Sequence, residues 1–323
     1  MEMLSSDFKL GPSEQVECKM PVPPTVVYLG ASRGVGFLAY RRLASLNPDV
    51  QSVLLVRSIT DFKTSVEFAS LDDDIVSRTI LVEGDAHSED DVRRLLSEGK
   101  ETLTAIVFSI GYSRAPGFRN SVKSLMKGPE IELPDLCTRA LITLVHTLHE
   151  AYFEYNEKPK LVVVSSMGLG AHAHTSALSP LLRPVYSRMN RADLEDKLAM
   201  EVVLEHSLMP PTVSASFPST RYVPRHFPSA SEVNPNILSE ETLDSLPGRF
   251  IQPPDVCVLR PATLTNAKPR ELVRVAQENE VPRGSHSFSS IGREDVAGFI
   301  ADLIDGADEN VTKWWGHQVV LAY

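Results

Sequence analysis

The stretch Tyr28-Leu29-Gly30-Ala31-Ser32-Arg33-Gly34-Val35-Gly36 constrains the fold more than any other part of the chain. It joins a short β-forming run, 25–29, to a helical pattern, 35–46, through a turn rich in glycine. Strand, glycine turn and helix in direct succession open a βαβ unit. In such a unit one glycine permits the tight turn, one lets backbone approach a bound group, and one lets the helix pack close to the strand. The helix N-terminus then presents unpaired N–H groups and a partial positive charge, which suits a pyrophosphate. A glycine cluster gains this meaning only in that context. The other reading is a purely structural turn.

Further apolar runs follow at 53–56, 79–82, 105–108, 161–164, 256–259 and 319–321. They are rich in Val, Ile and Leu, as strands buried on both faces are. Helical segments lie between them at 35–46, with Leu38, Leu43 and Leu46 on one side, and at 90–96 and 136–155. The alternation predicts an α/β fold: a Rossmann-type doubly wound parallel sheet of about seven strands, with helices on both faces. At 323 residues the length alone allows two domains. The motif order favours a flexible N-terminal arm over 1–24 and one nucleotide-binding domain over 25–323. Insertions break the rhythm near 112–134 and 209–254, the second placed where a small lid would lie.

Composition removes whole classes of partner. Acids number 42 against 32 Lys and Arg, a formal charge of −10. Such a chain lacks the electrostatic footprint for nucleic acid and the polybasic face for an anionic membrane. The N-terminus mixes acids with apolar residues and has no signal-like apolar core, and no apolar run reaches the ~20 residues that span a bilayer. Cys18, Cys137 and Cys257 are widely spaced and odd in number, the usage of buried thiols in a reducing compartment. A cytoplasmic protein acting on a small-molecule substrate is expected. The sequence names no oligomeric state.

The strand ends carry the rest. Val56-Arg57-Ser58 places a guanidinium where a site selective for NAD places an acid. Arg57, with Arg33 in the glycine loop, suits a 2′-phosphate, so NADP(H) is the expected cofactor. For Arg57 the alternative is a solvated loop charge. Asp61 follows the strand end and is discounted. Gly84-Asp85-Ala86 ends the third strand, where Asp85 can accept from an adenine amino group. Ser109-Ile110-Gly111 ends the fourth, where glycine lets backbone pass under a ribose. Ordinary turn chemistry is the alternative for both. The cofactor set is then Gly30, Ser32, Arg33, Gly34, Val35, Gly36, Arg57, Asp85, Ala86, Ser109 and Gly111.

Taken in order, these motifs, with Val164-Ser165-Ser166 and Leu259-Arg260-Pro261-Ala262, resemble a short-chain dehydrogenase/reductase. The resemblance is closer to the atypical, NmrA-like branch that includes biliverdin/flavin reductases. The Asp193–Glu201 segment resembles that branch's Lys-x-x-x-Glu helix, and Arg293-Glu294-Asp295-Val296-Ala297 its late Arg-x-Asp-Val-Ala helix start. The resemblance covers about residues 25–305. It implies hydride transfer to a carbonyl or conjugated acceptor, with Ser166, or its neighbour Ser165, holding the acceptor oxygen. It implies that Lys197 binds the nicotinamide ribose, and that Pro261, Ala262 and Thr263 lie along the nicotinamide. Where the family pattern has Tyr, four residues before Lys197, stands Asp193. The nearest phenol is Tyr186, followed four residues on by Asn190, which cannot lower a phenol pKa as a lysine does. The expected activity is an NADPH-dependent oxidoreductase acting on a small carbonyl, quinone or conjugated acceptor. The alternatives are an NADP-binding sensor without hydride transfer, and a non-redox isomerase or cyclase. His172 and His174 lack a third ligand at metal spacing, and no metal is expected. His87 reads as a surface turn residue, and Trp314-Trp315 as a packing anchor.

Overall fold

The computed structural model describes residues 23–99, 102–112, 133–155, 157–169, 191–210, 227–270, 273–277 and 290–323. Residues 1–22 of the expected N-terminal arm therefore lie outside the described residues. In chain order the elements begin β1 (Thr25–Leu29), α1 (Gly34–Leu46), β2 (Gln51–Val56), α2 (Ile59–Lys63), α3 (Asp73–Ser77), β3 (Thr79–Glu83), α4 (Glu89–Ser97) and β4 (Leu103–Phe108). Then come α5 (Leu136–Tyr152), β5 (Lys160–Val164), α6 (Arg191–Ser207), α7 (Glu240–Asp244), β6 (Val256–Pro261), β7 (Thr263–Thr265) and β8 (Arg274–Gln277). The chain closes with β9 (Ser290–Gly292), α8 (Arg293–Asp305), α9 (Glu309–Thr312) and β10 (Gln318–Ala322).

Eight strands form the main sheet in the order β3-β2-β1-β4-β5-β6-β10-β8. All pairs are parallel except β10 with β8. The chain winds outward from β1 through β2 to β3, then returns to the other side of β1 with β4. This is an α/β Rossmann-type fold, and the β1–β4 junction is its topological switch point, where the strand order opens a crevice at the carboxyl ends. All seven expected apolar runs are strands. The eighth, β8, is an antiparallel edge strand whose side chains are only half-buried, so it carries no apolar run to read. A separate parallel pair joins β7 to β9.

Strand side chains alternate between two layers, as the pleat requires. Val26 and Tyr28 of β1 face one way, with Phe37, Tyr40 and Leu43 of α1 and Val296, Ile300 and Leu303 of α8. Val27 and Leu29 face the other, with Leu95 of α4, Leu144 and Leu148 of α5, and Met200 and Val203 of α6. Within the expected second insertion, residues 227–254, as far as described, belong to this second layer: Leu238, Leu246, Phe250 and Ile251 are buried in it. Helix α5 stops at Tyr152, short of the expected 155, and Lys158 Nζ donates to the carbonyls of Tyr152 and Tyr155 at 2.9 and 2.8 Å. The Trp315 indole N–H donates to Leu303 O at 3.2 Å, and both tryptophans pack on the first layer.

Candidate functional site

The glycine loop leaves β1 at the switch point, and its glycines divide the work. Gly30 has φ +90°, and a Cβ there would stand 2.7 Å from the Ile110 amide nitrogen at the tip of β4. Gly36 lies under the turn, where a Cβ would meet Ser109 Oγ at 2.1 Å and Gly30 O at 2.7 Å. Gly34 has φ +66°, and a Cβ there would meet nothing within 4 Å. Two glycines thus serve close packing and the third lies open. The Ser109 hydroxyl donates toward Leu29 O and Gly30 O at 3.1 and 3.3 Å. It braces the loop from beneath.

Arg33, at the N-cap of α1, has extended backbone and makes no side-chain cap, and the helix's first turn carries no acid. Several neighbours differ. Ser58, Ser88 and Ser239 cap α2, α4 and α7 through their hydroxyls. The first amides of α5 are taken by Asp196, as described below. Among the described residues the N-terminal amides of α1 therefore lack a side-chain acceptor at the sheet's switch point, with Ser32 and Arg33 exposed beside them and Val35 buried.

Beyond the loop, Arg57 is exposed at the tip of β2. From β3, the Glu83 carboxylate accepts the Ile59 amide at 2.8 Å. Asp85 is exposed, and its Oδ1 accepts the His87 amide at 3.0 Å and lies 3.1 Å from His87 Nδ1. The other ring nitrogen of His87 meets Leu136 O at 3.0 Å. His87 is thus a half-buried link between the β3–α4 turn and α5, where the sequence suggested a surface turn residue. Ala86 packs partly against the second layer, and Gly111 is exposed with open space around its Cα.

The floor of the crevice is a buried polar network. Lys197 on α6 is 5% exposed, and its ammonium donates to Ile110 O at 2.7 Å and Val164 O at 2.9 Å. It ties together the tips of β4 and β5. Ser165 continues the face of Leu161 and Val163 and so points to α6, where its hydroxyl donates to Glu201 Oε1 at 2.5 Å. Glu201 also receives the guanidinium of Arg260 from β6 in a two-pronged ion pair, Nε lying 3.0 Å from Oε1. Fork-to-fork geometry of this kind satisfies a buried charge pair. Ser166 faces away from this network; it is half-buried, and among the described residues its hydroxyl reaches only Met167 O, at 3.3 Å.

Next to Lys197 on α6, Asp196 is fully buried. Its carboxylate accepts the amides of Cys137 and Thr138 at 2.8 and 2.9 Å, the Thr138 hydroxyl at 2.7 Å and the Tyr112 hydroxyl at 2.9 Å. Burial, with the Asp196 charge beside it, pushes the Tyr112 phenol far above the ordinary range. Burial likewise raises the Cys137 thiol well above its usual value. Tyr112 is thus a structural phenol and Cys137 an unreactive thiol.

At the end of β6, Pro261 and Ala262 are buried and Thr263 is exposed. The Ala262 amide donates to Leu321 O at 2.9 Å and is committed to the sheet. Asp193, in the position of the family's Tyr, is half-buried. Tyr186, Asn190, His172 and His174 lie outside the described residues. Among the described residues no three His, Cys, Asp or Glu side chains stand together as metal ligands, and no helix is long and apolar enough to cross a membrane. The partners missed by sequence reasoning are Glu83, Asp196 and the Glu201–Arg260 pair. Glu201 lies one helical turn past Lys197, so its place on the same stripe was a usable signal.

No protein-family model matches the chain, and no curated protein sequence matches it. Solved structures do. A 3-ketoacyl-ACP reductase from Sinorhizobium meliloti 1021 is 18% identical, with 92% of this chain and 96% of that one covered at a TM-score of 0.48. A short-chain dehydrogenase/reductase from Serratia marcescens is 12% identical, with 93% and 97% covered, also at 0.48. The oxidoreductase ylbE from Lactococcus lactis is 16% identical, with 92% and 90% covered, at 0.44.

Proposed function

We propose that the chain binds a nicotinamide dinucleotide across the carboxyl ends of β1 to β6, and that it is an NADPH-dependent oxidoreductase acting on a small carbonyl, quinone or conjugated acceptor. The observation that carries this reading is the open Gly34 beside the uncapped amides of α1 at the switch point. A diphosphate fits there on two counts: backbone can approach it without a side chain between, and the helix end offers N–H groups and favourable charge. Arg33 and Arg57 add guanidinium groups on the same rim. A bound nicotinamide would supply or accept hydride.

The protein's own part is positional. Ser166 is the hydroxyl available to hold an acceptor oxygen, since Ser165 is engaged by Glu201. Lys197 fixes the β4 and β5 tips through their carbonyls. Proton delivery falls to Tyr186 or to solvent. A second reading, an NADP-binding sensor, draws support from the same fact: the buried ammonium of Lys197 serves backbone carbonyls and does not sit beside a phenol in the described residues.

Titration of the full chain with NADPH, followed by nicotinamide fluorescence, should saturate. NADPH should then be consumed with one class of acceptor among quinones, flavins, enones and aldehydes. Ser166→Ala should lower kcat by about 10²-fold with NADPH affinity unchanged. Saturable binding without turnover on any acceptor would overturn the oxidoreductase in favour of the sensor. Absence of binding would overturn both.

A further inference from the structure

We infer that Glu83 is a specificity-determining residue at the adenosine end of the crevice, opposing Arg57 in the choice between phosphorylated and unphosphorylated dinucleotide. The inference rests on the dinucleotide reading above and adds a residue to it. Strands β2 and β3 run parallel with Val56 opposite Glu83, and the Gly84 amide donates to Val56 O at 2.9 Å. Arg57, the residue after Val56, and Glu83 therefore leave the same carboxyl edge of the sheet from adjacent strands, one residue out of register. The Glu83 side chain leaves its own strand and crosses to β2. Its Oε2 accepts the Ile59 amide at 2.8 Å, which sets the carboxylate beyond the tip of β2, two residues past Arg57.

That tip is where a Rossmann fold meets the ribose 2′ position. An acid there accepts a 2′-hydroxyl, and a guanidinium pairs with a 2′-phosphate. Here both signs meet at one strand end, the cation from β2 and the anion from β3. Among the described ion pairs none joins them. A 2′-phosphate is drawn by Arg57 and repelled by Glu83, whereas a 2′-hydroxyl finds an acceptor in Glu83. The molecule thus discriminates less sharply for NADPH than Arg57 alone would dictate.

Glu83→Gln tests this, because the amide oxygen still accepts the Ile59 N–H while the charge is gone. NADPH and NADH dissociation constants are measured by fluorescence titration for the unmutated chain, Glu83→Gln and Arg57→Ala. Glu83→Gln should tighten NADPH by about five- to ten-fold, the Coulomb effect of one charge on a phosphate dianion several ångströms away through water. NADH should not tighten, and the gain should shrink at high salt. Arg57→Ala should weaken NADPH alone. Equal changes for both nucleotides, or no change, overturn the role of Glu83 and leave the dinucleotide reading standing. Failure of the unmutated chain to bind either nucleotide overturns the reading and the inference together.

Discussion

At the scale of single residues, the glycine loop separates stability from binding. Gly34→Ala places a methyl in open space, so its cost is the left-handed backbone, about 1–2 kcal/mol. In the proposed binding the same methyl would enter the gap left for a phosphate. Gly36→Ala instead drives a methyl to 2.1 Å from Ser109 Oγ and 2.7 Å from a backbone oxygen that cannot rotate away. Overpacking of that kind costs about 2–4 kcal/mol. Urea denaturation with NADPH titration should therefore find Gly36→Ala the less stable variant. Gly34→Ala should stay folded with NADPH affinity reduced at least about tenfold. The reverse order of stability would refute the division of roles. The glycines were legible because a backbone need maps onto one residue type. The split between Ser165 and Ser166 was not, because adjacent serines look alike until the pleat sends one hydroxyl toward Glu201.

At the scale of elements, α5 and α6 are joined by a cap borrowed between helices. Asp135, at the α5 N-cap, makes no capping bond with its side chain, and the carboxylate of Asp196 on α6 accepts the Cys137 and Thr138 amides in its place. An aspartate near a helix N-terminus satisfies orphan N–H groups and the helix dipole together. Asp196→Asn would put an amide donor in place of one carboxylate oxygen. The Tyr112 and Thr138 hydroxyls can turn to accept, but the Cys137 and Thr138 amides cannot, so at least one buried N–H is left unpaired. The expected loss is about 2–4 kcal/mol by urea denaturation. Tyr112→Phe removes a single contact of the same carboxylate and should cost only about 0.5–1.5 kcal/mol. Equal losses would show that Asp196 acts through Tyr112 and not as a cap. Periodicity exposed α5 and the strands, since burial writes itself in apolar spacing. It did not expose Asp196 or Glu201, because a buried acid on a helix has the same letter as a solvated one. Only the tertiary partners, an amide pair in one case and Arg260 in the other, make burial tolerable.

At the scale of the whole molecule, the formal charge of −10 opposes the anionic ligand proposed for the loop. A dinucleotide phosphate is itself strongly anionic, so in the proposed binding the far field of the protein would repel it, while Arg33 and Arg57 would attract it only at short range. These two regimes respond differently to salt, because screening acts over about 10 Å at 0.1 M ionic strength and about 30 Å at 0.01 M. Raising ionic strength across that interval should speed NADPH association, by relieving long-range repulsion before contact forms. It should also speed dissociation, by weakening the contact with the exposed guanidinium. Stopped-flow fluorescence resolves the two rate constants. In Arg57→Ala the salt dependence of dissociation should flatten while that of association persists. Association that slows with salt in the unmutated chain would mean that the basic rim outweighs the acidic surface even at a distance. The net charge would then describe only which macromolecules stay away, and not how the small anion arrives.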